Sequence, residues 1–157
     1  MKISLIYIGK TNQNFVKDGC ALFFKRIKRY VNFEEIQIND VKNAGKLKSN
    51  QLKIKESELF LNKIESTDYV VLLDEKGKSF TSVKFADWIE KNMVQGVTSL
   101  VFVIGGAFGF SDEMYQRANM KLQLSSMTFS HQIIRVIFAE QLYRAFTIIK
   151  GEPYHND

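Results

Sequence analysis

The side chains best suited to chemistry lie in the last third of this 157-residue chain. His131 and Arg135 stand at the start of a long apolar segment, and Tyr154 and His155 follow its end. Because an imidazole titrates near neutral pH, either histidine could accept or donate a proton in a reaction. Two turns rich in small residues, 105–109 and 125–132, frame a predicted ligand pocket beside them.

Arg135 occupies an unusual position for a charged residue. At roughly 100° per residue it shares one otherwise apolar helical stripe with five others: His131, Ala139, Leu142, Phe146 and Ile149. Since an unpaired buried charge costs several kcal/mol, its guanidinium must face an acidic side chain, a carbonyl cluster, an interface or a ligand. A catalytic role and an interface ion pair both stay open. Glu140 and Arg144 instead form an i, i+4 pair, which favours a structural role.

The glycine turn does not match the common nucleotide-binding signatures. Residues 105–109 are not G-x-G-x-x-G, and Leu72 replaces the first glycine of a P-loop that would end at Gly77. Two histidines and one cysteine, far apart in the chain, make no evident zinc site, so no metal ligand is predicted. No G-x-S-x-G motif is present either. The turn predicts close approach of the backbone to a flat or uncharged ligand, although a plain tight turn stays open.

Alternating strands and helices must position these residues. The sequence predicts strands at 2–8, 33–38, 69–73, 99–104 and 121–124, and helices at 15–30, 46–64, 82–94, 111–118 and 133–150. Several of the strands are continuous apolar runs, as in parallel sheets buried on both faces. We expect one α/β domain, residues 1–157, with an open, mostly parallel sheet and helices on both faces. Ligands bind beyond the carboxyl ends of such strands, where Asp74, Gly105 and Ser125 fall.

Composition narrows the cellular setting and the class of partner. Cys20 is the only cysteine, which points to a reducing compartment, and no apolar run predicts a leader or a membrane span. We therefore expect a soluble cytoplasmic protein. The net charge of +5 favours an acidic partner such as RNA. Basic residues in 25–29 and 42–55 are either phosphate contacts or solvated helix faces, and both interpretations stay open.

Several longer motifs follow one another along nearly the whole chain. They are Gly9-Lys10 after the first strand, LDEKGKSFTS at 73–82, Gly105-Gly106, Met127-Thr128-Phe129, His131-Gln132, Arg135, EQLYRA at 140–145, and Tyr154-His155. Together they resemble the RlmH family of SPOUT-class RNA methyltransferases. The resemblance implies methylation of N3 of a pseudouridine in 23S ribosomal RNA, on the assembled ribosome. A catalytically silent ribosome-binding or ligand-sensing module on the same fold is the alternative.

The resemblance also implies a fold, a cofactor and an oligomeric state. It implies a trefoil knot formed by the C-terminal strands and helix, with S-adenosyl-L-methionine held in the knot. The residues implied to contact the cofactor are Leu73, Gly105, Leu124, Ser125, Ser126, Met127, Thr128 and Phe129. A homodimer is implied as well, and the apolar run at 133–138 independently favours dimerisation.

The implied substrate defines the roles of the four candidate catalytic residues. N3 of pseudouridine is mostly protonated at neutral pH and is therefore a weak nucleophile. His155 is the preferred proton acceptor and His131 the alternative. Arg135 is expected to stabilise charge developing on the base, and Tyr154 to stack on it or hydrogen-bond to it. We expect the tail that carries Tyr154 and His155 to fold over the site of the partner subunit.

Overall fold

The computed structural model describes residues 1–155, so residues 156 and 157 of the predicted domain lie outside the described residues. The strands are β1 (Lys2–Ile8), β2 (Asn32–Ile38), β3 (Tyr69–Ser79), β4 (Ser99–Ile104) and β5 (Met120–Gln123). They form one sheet in the order β2-β1-β4-β3-β5, and every neighbouring pair is parallel. The predicted α/β fold with an open parallel sheet is confirmed.

Helices cover both faces of this sheet. They are α1 (Asn14–Ile27), α2 (Ser49–Leu61), α3 (Ser82–Val94), α4 (Asp112–Arg117) and α5 (Ile133–Ile149), with a short 3₁₀ turn at Ala44–Lys46. Helices α1, α3 and α5 pack on one face, and α2 and α4 pack on the other. The helix predicted at 46–64 begins only at Ser49, where the Lys48 amide donates to Gln51 Oε1 at 3.1 Å.

The first strand shows why the apolar runs are continuous. Side chains of successive strand residues point to opposite faces. Leu5 and Tyr7 join the core beneath α1, α3 and α5, whereas Ile6 and Ile8 join the core beneath α2 and α4. Both faces of this strand are therefore buried, which is why both sets of positions are mostly apolar, with Ser4 the buried polar exception.

Close backbone packing brings α5 against α1. A Cβ atom on Gly19 of α1 would lie only 2.6 Å from Val136 Cγ2 of α5. The missing side chain therefore allows the two helices to approach. This contact holds α5 close to α1 on one face of the sheet.

Strand β3 continues six residues beyond the predicted end at Leu73. Leu122 of β5 pairs with Leu73 and again with Lys78, so residues 74–77 bulge between the two pairings. At Gly77 a Cβ atom would lie 2.6 Å from backbone atoms of Leu122. The bulge places Asp74 at the sheet edge, close to the turns that follow β4 and β5. Within residues 1–155, no helix is long and apolar enough to cross a membrane.

Candidate active site

A cleft of about 640 Å³ opens at the carboxyl ends of β3, β4 and β5. Asp74, Gly105 and Ser125 all line it, as their positions after three strands predicted. His131 and Ile134 close the side nearest α5. The volume falls within the range of small-molecule binding sites.

Most residues assigned to the cofactor by resemblance lie together in this cleft. The lining includes Leu73, Gly105, Leu124, Ser125, Met127, Thr128 and Phe129. Ser126 belongs to the same turn but is not among the lining residues. This wall offers backbone groups and apolar side chains, which suit a flat uncharged ring better than a phosphate. The cleft thus fits an adenosine cofactor in size and in chemistry.

The glycine turn after β4 has little room for a side chain at Gly105 and none at Gly106. The Gly109 amide donates to the Gly106 carbonyl at 3.2 Å, and Gly109 has a φ of +75°, which favours glycine. A Cβ atom on Gly105 would lie 3.1 Å from the Phe110 ring, and one on Gly106 would collide with the Glu56 carboxyl group. Phe110 and Glu56 are both buried, so the turn packs against the protein interior.

Glu56 is an ionisable group that sequence reasoning missed. Its side chain on α2 is buried, and Oε2 has no hydrogen-bond partner. Burial, and next the nearby Asp40 carboxylate, raise the pKa of the Glu56 carboxyl above its usual range. Nothing in the surrounding lysine-rich helix signals this setting, because the contact with Gly106 depends on the tertiary fold.

Asp74, unlike Glu56, lines the cleft, and two hydrogen bonds fix its carboxylate. The Tyr115 hydroxyl donates to Asp74 Oδ2 at 2.5 Å, and the Lys76 amide donates to Oδ1 at 2.8 Å. Burial and this carboxylate raise the pKa of Tyr115, so the phenol stays protonated as a donor. Sequence reasoning placed Asp74 at the site but missed Tyr115.

Arg135 faces the carbonyl cluster that was one of its predicted alternatives. Nη2 donates to the Ile8 carbonyl at 2.7 Å, and Nη1 donates to the Gly9 carbonyl at 3.1 Å and to Thr11 Oγ1 at 2.9 Å. Nε donates to the His131 carbonyl at 3.0 Å. The side chain is 1% exposed and is not among the residues that line the cleft. Burial lowers the pKa of its guanidinium, which still remains charged.

Arg135 and Gln132 together attach the loop after β1 to the start of α5. Gln132 Nε2 donates to the Lys10 carbonyl at 2.9 Å, and the Asn12 amide donates to Gln132 Oε1 at 3.0 Å. His131 directly precedes Gln132, accepts from Arg135 Nε through its carbonyl, and lines the cleft. We call Arg135 and Gln132, with the loop that they bind, the clamp. It fixes the backbone that carries His131. The sequence indicated it only through the predicted burial of Arg135.

The tail packs along α5 and away from the cleft. The predicted Glu140–Arg144 pair is confirmed, with Arg144 Nη2 at 2.6 Å from Glu140 Oε1. The Tyr154 hydroxyl donates to the same oxygen at 3.3 Å, and His155 Nδ1 lies 3.2 Å from Arg144 Nη1. Burial, and next the Glu140 carboxylate, raise the pKa of Tyr154.

The four candidate catalytic residues are therefore not gathered in one place within a single chain. His131 lines the cleft, and Arg135 supports it from beneath. Tyr154 and His155 contact residues 140–144, roughly 10–16 Å along α5 from its first residue. Within residues 1–155, no group of three His, Cys, Asp or Glu side chains could hold a metal ion.

Known proteins resemble this chain over its full described length. A family model described as "Predicted SPOUT methyltransferase" matches residues 1–155. Proteins named "Ribosomal RNA large subunit methyltransferase H" are 49% identical over 156 residues in Christiangramia forsetii, 50% over 156 in Cytophaga hutchinsonii and 49% over 157 in Parabacteroides distasonis. Each alignment covers at least 99% of both chains.

A solved structure shares the fold at low sequence identity. It is described as "a probable methylase family protein from Haemophilus influenzae Rd KW20" and aligns with a TM-score of 0.53 at 11% identity. The alignment covers 99% of this chain and 70% of that one. At this identity the likeness concerns the fold alone.

Proposed function

We propose, because the chain belongs to the SPOUT methyltransferase family, that it methylates large-subunit ribosomal RNA. The methyl donor in this proposal is S-adenosyl-L-methionine. We propose N3 of a pseudouridine in 23S rRNA as the acceptor and the assembled ribosome as the substrate, which implies a cytoplasmic protein. The observation that carries the proposal is the cleft at the carboxyl edge of the sheet. It collects most of the residues assigned to the cofactor and has His131 at its rim.

The cofactor is held by Leu73, Gly105 and the segment 124–129. When bound, it supplies an electrophilic methyl group. Gly105 lines the cleft with backbone atoms alone, which lets them approach the adenine closely. A Cβ atom at 106 would collide with Glu56, and one at 105 would lie 3.1 Å from the Phe110 ring. A trefoil knot formed by β4, β5 and α5 belongs to this proposal.

Side chains of this protein remove the proton from the acceptor nitrogen and position the base. His155 accepts that proton at an imidazole nitrogen, and His131 is the alternative acceptor at the cleft. Tyr154 stacks on or hydrogen-bonds to the base. Arg135 has all its described hydrogen bonds within the chain, so its contribution to catalysis comes from holding the loop after β1 and the start of α5 in register.

A homodimer completes the site in this proposal. Ile133, Ile137, Glu140 and Arg144 share one face of α5 by their spacing, and all are half-buried. The tail lies on this part of the helix, away from the cleft of its own chain. A second copy packed along α5 brings the tail of one protomer to the cleft of its partner.

Transfer of radiolabelled methyl from S-adenosylmethionine tests the proposal. Ribosomes that lack the modification should accept label at a pseudouridine, whereas protein-free rRNA and already modified ribosomes should not. His155→Ala should lower the single-turnover rate by roughly 10²-fold or more, since a positioned base contributes about that much. His131→Ala provides the comparison, because the proton acceptor is the histidine whose loss costs more. Cofactor binding without any label on RNA would indicate a non-catalytic binding module instead.

A further inference from the structure

Exposed aromatic side chains are concentrated at the mouth of the cleft. Within residues 1–155, four large aromatic side chains are exposed, and three of them line this one cleft: Phe108 (53% exposed), Phe129 (40%) and Tyr115 (37%). The fourth, Phe15 on α1, does not line it. An exposed apolar rim around a pocket marks a binding surface rather than a folding requirement.

Phe108 is the most exposed of these three rings, and it is firmly placed. It lies at the tip of the turn from Gly106 to Gly109, whose ends are joined by a hydrogen bond of 3.2 Å. Phe110, directly after the turn, is buried and packs beneath Gly105. The ring is therefore carried on a rigid support, yet it takes part in none of the described ring contacts.

We propose that Phe108 is a stacking platform for an unpaired base of the RNA substrate at the mouth of the cleft. This inference rests on the proposed function, and it adds a substrate-binding residue that the cofactor does not use. An aromatic face binds any nucleobase that leaves its own stack. Lys76 on the same rim is exposed and suits the adjoining phosphate.

The tail of a second copy is a poorer occupant for this ring. Tyr154 already packs against the Tyr143 ring at 4.7 Å between centroids, and Arg144 lies 4.8 Å from the Tyr154 ring centre. These contacts hold the Tyr154 ring against α5 of its own chain, so the residue that meets the target base in the proposed function is already packed and does not need the Phe108 ring as a partner.

Methylation kinetics with ribosomal substrate test the role of the ring. Phe108→Ala and Phe108→Leu should lower kcat/KM for ribosomes by about 5- to 150-fold, because a base stacked on an aromatic ring is worth ~1–3 kcal/mol. Phe108→Tyr keeps the π-face and should stay close to wild type. Phe15→Ala is the matched control, an exposed phenylalanine outside the cleft. The affinity for S-adenosylhomocysteine and the oligomeric state should not change in any of these variants.

Three outcomes, one in activity, one in cofactor-product binding and one in oligomeric state, would overturn the inference. They are full activity in Phe108→Leu, loss of S-adenosylhomocysteine affinity in Phe108→Ala, and a change in oligomeric state in Phe108→Ala. The first would mean that an apolar side chain suffices, and the others would assign the ring to the cofactor or to a second copy.

A second readout does not depend on methyl transfer. In Phe108→Trp, a short single-stranded RNA should quench the new indole strongly, whereas the same RNA should barely quench Phe15→Trp. Trp88, the only native tryptophan, gives the background. Equal quenching at both positions would contradict stacking at Phe108. If the wild-type protein transfers no methyl to any RNA, the proposed function fails, and the quenching comparison still decides this inference.

Discussion

Arg135 is the residue whose removal should cost the most folding free energy. Arg135→Ala leaves the buried carbonyls of Ile8 and Gly9 and two part-buried acceptors, at Thr11 and His131, without their donor. We expect the free energy of unfolding to fall by roughly 2–6 kcal/mol, because each of the two buried carbonyl groups left unpaired costs about 1–3 kcal/mol. Urea unfolding measures this loss. The free energy of unfolding of Arg135→Lys should lie between those of the wild type and Arg135→Ala, because an ammonium group keeps the charge but not the planar fork of donors. If the free energy of unfolding of Arg135→Ala equals that of the wild type, the clamp does not stabilise the fold.

The buried Glu56 carboxyl should make stability depend on pH. Because its folded pKa is raised, the folded state binds the proton more tightly than the unfolded state does. Stability is then lost as pH rises through the ordinary carboxyl pKa toward the raised folded value. Glu56→Gln cannot ionise, so its stability relative to wild type should increase over that pH range. Urea titrations from pH 4 to 8 provide the measurement, and parallel pH profiles for the two proteins would rule out a raised pKa.

Single residues also show where sequence interpretation stops. The burial of Arg135 follows from its place on an apolar helical stripe, and the sequence predicts it. Its partners do not follow, because Ile8, Gly9 and Thr11 lie 124–127 positions earlier in the chain. Glu56 gave no signal at all, since a polar residue on a helix is ordinarily solvated.

At the scale of elements, Gly77 controls how closely β5 approaches the bulge in β3. A Cβ atom at this position would lie 2.6 Å from three backbone atoms of residues 121 and 122. Gly77→Ala should therefore displace β5 and lower the free energy of unfolding by roughly 1–3 kcal/mol. S-adenosylhomocysteine affinity should fall too, because Leu122 lines the cleft. Denaturant unfolding and calorimetry measure the two effects.

Gly45→Ala is the matched control for that substitution. Position 45 has no atom within 4 Å of a new Cβ and no positive φ, so alanine should be tolerated there. Equal stability of the Gly77 and Gly45 variants would show that β5 can move aside freely.

The predicted boundaries of helices and strands match the observed ones where capping residues close in sequence set them. Helix α3 spans the predicted Ser82–Val94, because Thr81 Oγ1 accepts from the Lys84 amide at 3.3 Å and Gly96 follows its end with a φ of +81°. Strand β3 was predicted too short because residues 74–79 are polar and become strand only through pairing with β5. That pairing is a tertiary event, and no local pattern announces it.

At the scale of the whole molecule, the cleft at the sheet edge and the C-terminal tail lie apart in one chain. The parallel sheet, its two helical layers and the three converging loops could all be predicted from apolar runs and strand order. The position of Tyr154 and His155 on α5 could not, because it depends on the contacts with Glu140 and Arg144. A single chain in this arrangement does not bring its tail to its own cleft.

Two inactive variants should therefore restore activity when they share a dimer. The first is His155→Ala, which keeps its cleft. The second is Thr128→Trp, which keeps its tail but fills the cleft with an indole at an exposed lining position. Mixed dimers can be isolated by co-expression with different affinity tags. If the tail serves the partner, each mixed dimer has one complete site of two, and it should methylate ribosomes at about half the wild-type rate. If the tail serves its own chain, neither site is complete, and the mixed dimers should be no more active than the parent variants.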